Sequence, residues 1–182
     1  MINKKDKILK KAIFLDRDGI VNIDYGYVHS VDKFVFNDGI FDLIKLFIKK
    51  NYLIYIITNQ SGIGRGYYTL EDFLNLTEFM LEEFAKNSIN IERVEYCPHS
   101  PESNCNCRKP ETGMIDNILK DYNIDLNQSW LFGDKQSDIN LAKNSKINKK
   151  VAIGDREFNG FDYKFSSISS AYEYLKGLDE FQ

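Results

Sequence analysis

The stretch that decides the fold is Ala12-Ile13-Phe14-Leu15-Asp16-Arg17-Asp18-Gly19. Four apolar residues in a row read as a short strand buried on both faces, and such strands belong to parallel sheets. The run stops abruptly at Asp16. A carboxylate at the tip of a buried strand is costly unless something positive satisfies it. Two Asp residues spaced by two point to one side of an extended chain, with Arg17 directed to the other, and Gly19 then permits a sharp turn. Two readings follow. One is a nucleophile and a general acid/base sharing a pocket whose charge a cation neutralises; an Asp nucleophile on phosphate forms an acyl phosphate and splits a hard hydrolysis into two easier steps. The other is a capped turn with a surface ion pair.

Working outward, the same punctuation recurs. Residues 53–57 form a β-branched and aromatic strand pattern that ends at Thr58, residues 93–96 suggest a third strand, residues 130–133 a fourth that ends at Asp134, and residues 151–153 another. Between them lie helical patterns. Residues 39–50 are amphipathic, with Lys49 and Lys50 in the last turn where cations suit the helix dipole. Residues 69–87 open on a capping Thr with acids in the first turn. Pro110 is expected to open a helix that runs to about Tyr122, and residues 170–176 read as a terminal helix. Strands alternating with helices predict an α/β fold: a three-layer, Rossmann-like parallel sheet with helices on both faces, forming a single domain over residues 1–182. In such sheets ligands sit beyond the carboxyl ends of the strands, which is where Asp16, Thr58 and Asp134 fall.

Composition agrees with one well-packed unit. The chain has 182 residues, 43% hydrophobic and 28% charged, so disorder is excluded. Its net charge of −3, from 24 basic and 27 acidic residues, gives no pull towards nucleic acid or an anionic membrane. The opening stretch to Lys11 is basic, but the apolar run behind it is too short for a signal peptide and no segment approaches a membrane span, so a cytoplasmic location is expected. The absence of a coiled-coil pattern or long apolar stripe makes a monomer the expectation.

The strand-end residues suggest one site. The Thr58 hydroxyl and the backbone N–H groups that follow it, at Asn59, Gln60 and Ser61, are placed to hold phosphoryl oxygens. Lys109, just before a helix start, adds a cation where free N–H groups also attract an anion. Asp134 supplies the further carboxylate that Mg²⁺ requires.

A second cluster lies in one short window. All three cysteines and all three prolines fall between residues 97 and 110, together with one of the two histidines. Cys97, His99, Cys105 and Cys107 form C-x-H-x₅-C-x-C, two short-spaced pairs that suit a closed, structural Zn²⁺ site. The alternative is three unconnected thiols beside an incidental histidine. A zinc-bound loop would rigidify the segment leading into Arg108 and Lys109.

In that order, D-x-D-G, a strand-end Thr, a Lys and G-D-x-x-x-D, the chain resembles the haloacid dehalogenase superfamily of phosphatases. The resemblance implies that Asp16 attacks phosphorus, that Asp18 protonates the leaving alcohol and then activates water, and that Thr58 and Lys109 steady the phosphoryl group. It also implies that Mg²⁺ is held by Asp16, Asp134 and the Asp18 carbonyl. Asp138 completes the last motif, although it also fits an ordinary first-turn helix acid. Residues 20–38 suffice only for a flap, so an open site without a cap domain is expected.

The zinc loop together with FLDRDGIVNIDYGYVHS and ITNQSGIGRGYYTLEDF narrows the resemblance to a subfamily that holds phosphatases of a heptose bisphosphate and of histidinol phosphate. The first implies a small sugar bisphosphate substrate and a place in nucleotide-activated heptose synthesis for lipopolysaccharide or capsule; the second is the alternative. By the same resemblance Arg108 and Lys135 contact substrate, and Asp24, Tyr25, Gly26 and Tyr27 fall where sugar hydroxyls are held. Tyr25 and Tyr27 fit flap packing equally. Arg65, in the G-I-G-R-G loop, is a further candidate cation or a solvated loop arginine. His29 reads as a flap surface residue. A zinc-stabilised binding protein on a dead phosphatase scaffold is the remaining reading, against which the complete catalytic set argues.

Overall fold

The computed structural model describes residues 9–182, so most of the basic opening stretch lies outside the described residues. Six strands, β1 (Lys11–Leu15), β2 (Tyr52–Asn59), β3 (Arg93–Cys97), β4 (Trp130–Gly133), β5 (Lys149–Ile153) and β6 (Tyr163–Phe165), form one sheet in the order β3-β2-β1-β4-β5-β6. Every pairing is parallel. The chain winds outward from β1 to β3, then returns to start the other half at β4. The strand order therefore reverses beside β1, and the crevice at such a switch point is where doubly wound sheets bind ligands. Asp16 and Asp134 cap the two strands that flank it.

The helices cover both faces. On one face, α1 (Ile40–Ile48), α3 (Leu70–Lys86) and α6 (Ile168–Leu175) bury Leu43, Phe47, Leu76, Met80, Phe84 and Leu175 against Ile13, Leu15, Ile54, Ile56 and Phe132. On the other, α4 (Gly113–Asp121) and α5 (Gln136–Asn144) pack Met114, Ile118, Leu141 and Ala142 on Ala12, Phe14, Tyr55, Ile57 and Leu131. Alternate residues of β1 thus feed two separate cores, which is why its sequence is apolar throughout rather than alternating. Phe47 meets Tyr52, Trp130, Phe132 and Phe181 with ring centroids 4.8–5.7 Å apart, tying α1 to the next strand and to β4 and the C-terminal turn, both distant in sequence.

Four details differ from the sequence expectation. Strand β2 runs through Thr58 to Asn59, so Thr58 lies within the ladder rather than beyond it. A short helix, α2 (Ser61–Gly64), and the edge strand β6 carry no periodicity long enough to read. Helix α4 starts at Gly113 rather than Pro110: a turn closed by Glu111 N–H to the Arg108 carbonyl (2.8 Å) contains Pro110, and Gly113 N–H is tied to Asn106 at 2.9 Å. Between β1 and α1 the chain forms only a flap, fastened by bridges from Asn22 to Asp18 and to Phe36. Among the described residues no large unit is inserted between strands, as expected from the length of these segments.

Candidate active site

The D-R-D-G turn leaves β1 at the sheet's carboxyl edge. Asp16 N–H still bonds to the Phe132 carbonyl of β4 at 3.0 Å, while its side chain turns into the crevice, 4% exposed. Gly19 is required twice. Its φ of +96° is left-handed, and a Cβ there would stand 2.4 Å from the Asp134 carboxyl carbon.

Arg17 corrects the expectation that it turns away. Its guanidinium is buried at 1% exposure and Nη2 donates to both Asp18 carboxylate oxygens (2.9 and 2.8 Å) and to the Val28 carbonyl of the flap (2.6 Å). Charge-assisted hydrogen bonds from this one nitrogen outweigh simple strand alternation. Asn22 adds a donor to Asp18 Oδ1 at 3.0 Å, and Gln60 Nε2 adds one to Oδ2 at 3.1 Å.

Lys109 comes from the loop before α4 and reaches under the site. Its Nζ lies 2.8 Å from Asp16 Oδ1 and 2.6 Å from Asp138 Oδ1, and donates to the Ile57 carbonyl at 3.1 Å. Asn59 holds the same lysine's backbone, accepting from its N–H at 3.0 Å. Burial opposes the charge on Lys109, but Asp138 and Asp16 outweigh it and raise its pKa. Asp138 is 1% exposed, and its other oxygen accepts from Lys135 N–H at 3.0 Å, capping α5. It is therefore both the helix acid and a member of the buried cluster, two roles that the sequence had left as alternatives.

Asp16, Asp134 and Asp138 offer carboxylate oxygens all within 4.8 Å of one another. Burial raises the Asp16 pKa against the pull of Lys109. Burial, and then the charge of Asp16, pushes Asp134 up to about 7. Asp134 Oδ1 is buried with no hydrogen-bond partner, and its nearest cation, Lys135 Nζ, is 3.7 Å away. An orphaned carboxylate oxygen facing a second carboxylate is the environment that a hard divalent cation satisfies. The residues fit a Mg²⁺ ion.

The cleft in front of this cluster has a volume of about 360 Å³. Asp24, Gly26, Tyr27, Asn59, Gln60, Ser61, Arg108, Lys109 and Lys135 line it with Asp18, Tyr68 and Ser137, so the residues expected to contact substrate line one cleft, with one exception. Lys135 Nζ pairs with Asp24 at 3.1 Å, and Asp16, Asp134 and Asp24 together overcome burial to keep the lysine charged. Tyr25 is not among the lining residues and is 61% exposed. Gln60 N–H, expected to face an anion, instead donates to the Cys97 carbonyl at 2.7 Å, so Gln60 contributes its side chain. Arg65 points to Glu102 at 3.5 Å rather than into the cleft. His29 stacks on Tyr68, ring centroids 5.0 Å apart, as a packed flap residue.

Besides Ser137, Tyr68 is a lining residue that sequence reasoning missed. It is 7% exposed, burial pushes its pKa up to about 12, and its hydroxyl donates to Gln60 Oε1 at 2.5 Å. Gln60 Nε2 in turn donates to Thr58 Oγ1 at 2.8 Å.

The cysteine loop follows β3 directly. Cys97, Cys105 and Cys107 are free thiols, with sulfurs 2.9–3.5 Å apart and His99 Nδ1 at 3.6 Å and 3.2 Å from the Cys97 and Cys107 sulfurs. A tetrahedron with metal–sulfur bonds of 2.3 Å has edges of about 3.8 Å. The four donors could therefore hold one metal ion. The loop's exit fixes Arg108 and Lys109 against the cleft.

Comparison with known proteins agrees with this fold. Residues 17–172 match the family model for polynucleotide kinase 3 phosphatase. The D-glycero-alpha-D-manno-heptose-1,7-bisphosphate 7-phosphatase of Campylobacter jejuni is 41% identical over 93% of this chain and 98% of its own. The D-glycero-beta-D-manno-heptose-1,7-bisphosphate 7-phosphatase of Haemophilus influenzae is 42% identical over 93% of this chain and 99% of its own. A crystal structure of the D,D-heptose 1,7-bisphosphate phosphatase from B. bronchiseptica, complexed with magnesium and phosphate, superposes with a TM-score of 0.78 at 26% identity, covering 91% of this chain and 97% of that one. The chain belongs to the polynucleotide kinase 3 phosphatase family of the haloacid dehalogenase superfamily, in the branch that holds the heptose-1,7-bisphosphate 7-phosphatases.

Proposed function

We propose that this chain is a phosphatase that removes the 7-phosphate of D-glycero-D-manno-heptose 1,7-bisphosphate. The observation that carries the reading is the buried group of Asp16, Asp134 and Asp138 at the switch point of the sheet, with Lys109 paired to Asp16 and Asp138. Asp16 attacks phosphorus and the bond to the sugar oxygen breaks, leaving a phosphoaspartate. Asp18, held two residues away by Arg17, Asn22 and Gln60, gives its proton to the departing oxygen. It then takes one from the water that hydrolyses the acyl phosphate. Thr58 and Lys109 hold the phosphoryl oxygens, and Lys109 also fixes the direction of the nucleophile. When bound by the Asp16 and Asp134 carboxylates and the Asp18 carbonyl, Mg²⁺ supplies positive charge for the phosphoryl oxygens and relieves the repulsion between the two carboxylates.

Arg108 and Lys135 stand across the cleft as cations for the phosphate that is retained, and Asp24, Gly26 and Tyr27 take sugar hydroxyls. The cysteine loop holds a structural Zn²⁺, whose closed donor set leaves it no catalytic position. The single domain acts as a monomer in the cytoplasm, within nucleotide-activated heptose synthesis for lipopolysaccharide or capsule. A net charge of −3 supports a small-molecule substrate rather than a polyanion or a membrane, and no helix among the described residues is long and apolar enough to cross a membrane.

The test is phosphate release, with Mg²⁺, from both anomers of the heptose bisphosphate and from histidinol phosphate. The named relatives act on one anomer or the other, so both are needed. One heptose anomer is expected to have the highest kcat/KM. A preference for histidinol phosphate would overturn the substrate assignment.

A further inference from the structure

We infer that Tyr68 is a positioning residue for the reaction, acting through Gln60 to set the Thr58 hydroxyl and the Asp18 carboxylate in one fixed geometry. The inference rests on the phosphatase reading above and adds a residue to it.

The chemistry of the Gln60 amide leaves one arrangement. Asp18 Oδ2 lies 3.1 Å from one end of the amide; in its ionised state, the one that takes a proton from water, Asp18 accepts but does not donate. The NH₂ end must therefore face Asp18, which turns the carbonyl end towards Tyr68. A carbonyl cannot donate, so Tyr68 must. The resulting chain runs from Tyr68 OH to Gln60 Oε1 at 2.5 Å, and from Gln60 Nε2 to Thr58 Oγ1 at 2.8 Å and to Asp18 Oδ2. Gln60 is 1% exposed and Thr58 1% exposed, so water is a poor substitute for any link. With both NH₂ protons donated, the Thr58 hydroxyl accepts from Gln60 and its own proton is left to point elsewhere, towards a phosphoryl oxygen.

Tyr68 is held independently of its hydroxyl. Its ring lies over Gly62, where a Cβ would come within 2.0 Å of Cε1, and His29 of the flap stacks on its other side with the two planes 4° apart. Removing only the oxygen keeps both contacts. Tyr68→Phe thus separates the relay from packing.

Kinetics on the heptose bisphosphate and on p-nitrophenyl phosphate, with thermal melting as the control, test the inference. Y68F is expected to lose roughly 10- to 100-fold in kcat, with KM within about 3-fold and an unchanged melting temperature, because a donor that orients two reacting groups is lost and no substrate contact is. In a double-mutant cycle Y68F is expected to cost little once Gln60→Ala is present. An active wild type with an equally active Y68F, or losses that multiply fully in the double variant, would overturn the relay alone. A wild type that releases no phosphate from either compound would overturn the phosphatase reading and the relay with it. Should Y68F not fold, Tyr68→Met serves: it also lacks the hydroxyl and fills the space over Gly62, so a comparable loss of kcat at unchanged KM supports the relay and an unchanged kcat overturns it.

Discussion

Removing the Lys109 charge should damage stability as well as turnover, by an amount that depends on pH. In Lys109→Met the methylene stem is largely kept, while Asp16 and Asp138, 4% and 1% exposed, lose the cation they share. At the observed separations of 2.8 and 2.6 Å, each attraction is about 6 kcal/mol at an effective dielectric of about 20. The variant is also spared the desolvation of the ammonium group, so the net cost of breaking such a buried pair is about 3–5 kcal/mol. For a chain of this size that corresponds to a fall in Tm of about 10 °C. The lost attraction includes that to ionised Asp16, whose folded-state pKa, already raised by burial, must rise further once the cation is gone. The penalty is then greatest at pH 8 and shrinks on acidification, as the Asp16 carboxyl takes up a proton that the unfolded chain releases at those pH values. Scanning calorimetry of wild type and variant at pH 8 and pH 5.5, free of metal, measures both effects. A variant whose Tm at pH 8 stays within about 2 °C of wild type, or whose penalty grows in acid, would refute the electrostatic account of this cluster.

Three further outcomes follow from the same geometry. With Asp134 raised to about 7, Mg²⁺ must displace its proton below that pH, so the Kd measured by calorimetry should tighten by about tenfold per unit from pH 5.5 and level off above about 7. Mass spectrometry of the native protein should find one zinc per chain, and stripping it or introducing Cys105→Ser should lower Tm and reduce kcat by loosening the path into Arg108 and Lys109. Gly19→Ala should abolish most turnover and cost at least about 1–3 kcal/mol by chemical denaturation, because φ is +96° and the new Cβ would meet Asp134 at 2.4 Å.

The outline of the candidate site was legible because β1, β2 and β4 are apolar runs that each end in a polar residue with no other reason to be there. Asp16, Thr58 and Asp134 stood out against buried strands, and the parallel order brought them to one edge. Cys97, His99, Cys105 and Cys107 were legible by spacing alone. What escaped depended on side-chain and turn contacts that hydrophobic periodicity does not encode. Arg17 looked outward by strand alternation, yet the Val28 carbonyl and Asp18 draw it inward. Pro110 looked like a helix start, but the turn at Arg108 and the tie from Gly113 to Asn106 delay α4 by three residues. Strand β6 has only Tyr163, Lys164 and Phe165, too few to show alternation, and forms because β5 offers an open edge. Nothing in the sequence distinguishes Tyr68 from its neighbour Tyr67, which is 57% exposed; only the packing over Gly62 turns one inward and leaves the other in water.

Trapping the phosphorylated intermediate decides whether Asp16 is the nucleophile. Enzyme quenched during turnover on the heptose bisphosphate is reduced with borohydride, which converts an acyl phosphate to an alcohol, and its peptides are sequenced by mass spectrometry. The account predicts homoserine at position 16 in wild type, and neither that product nor turnover in Asp16→Asn. An active enzyme with residue 16 unmodified, or an Asp16→Asn variant that still turns over, would contradict it.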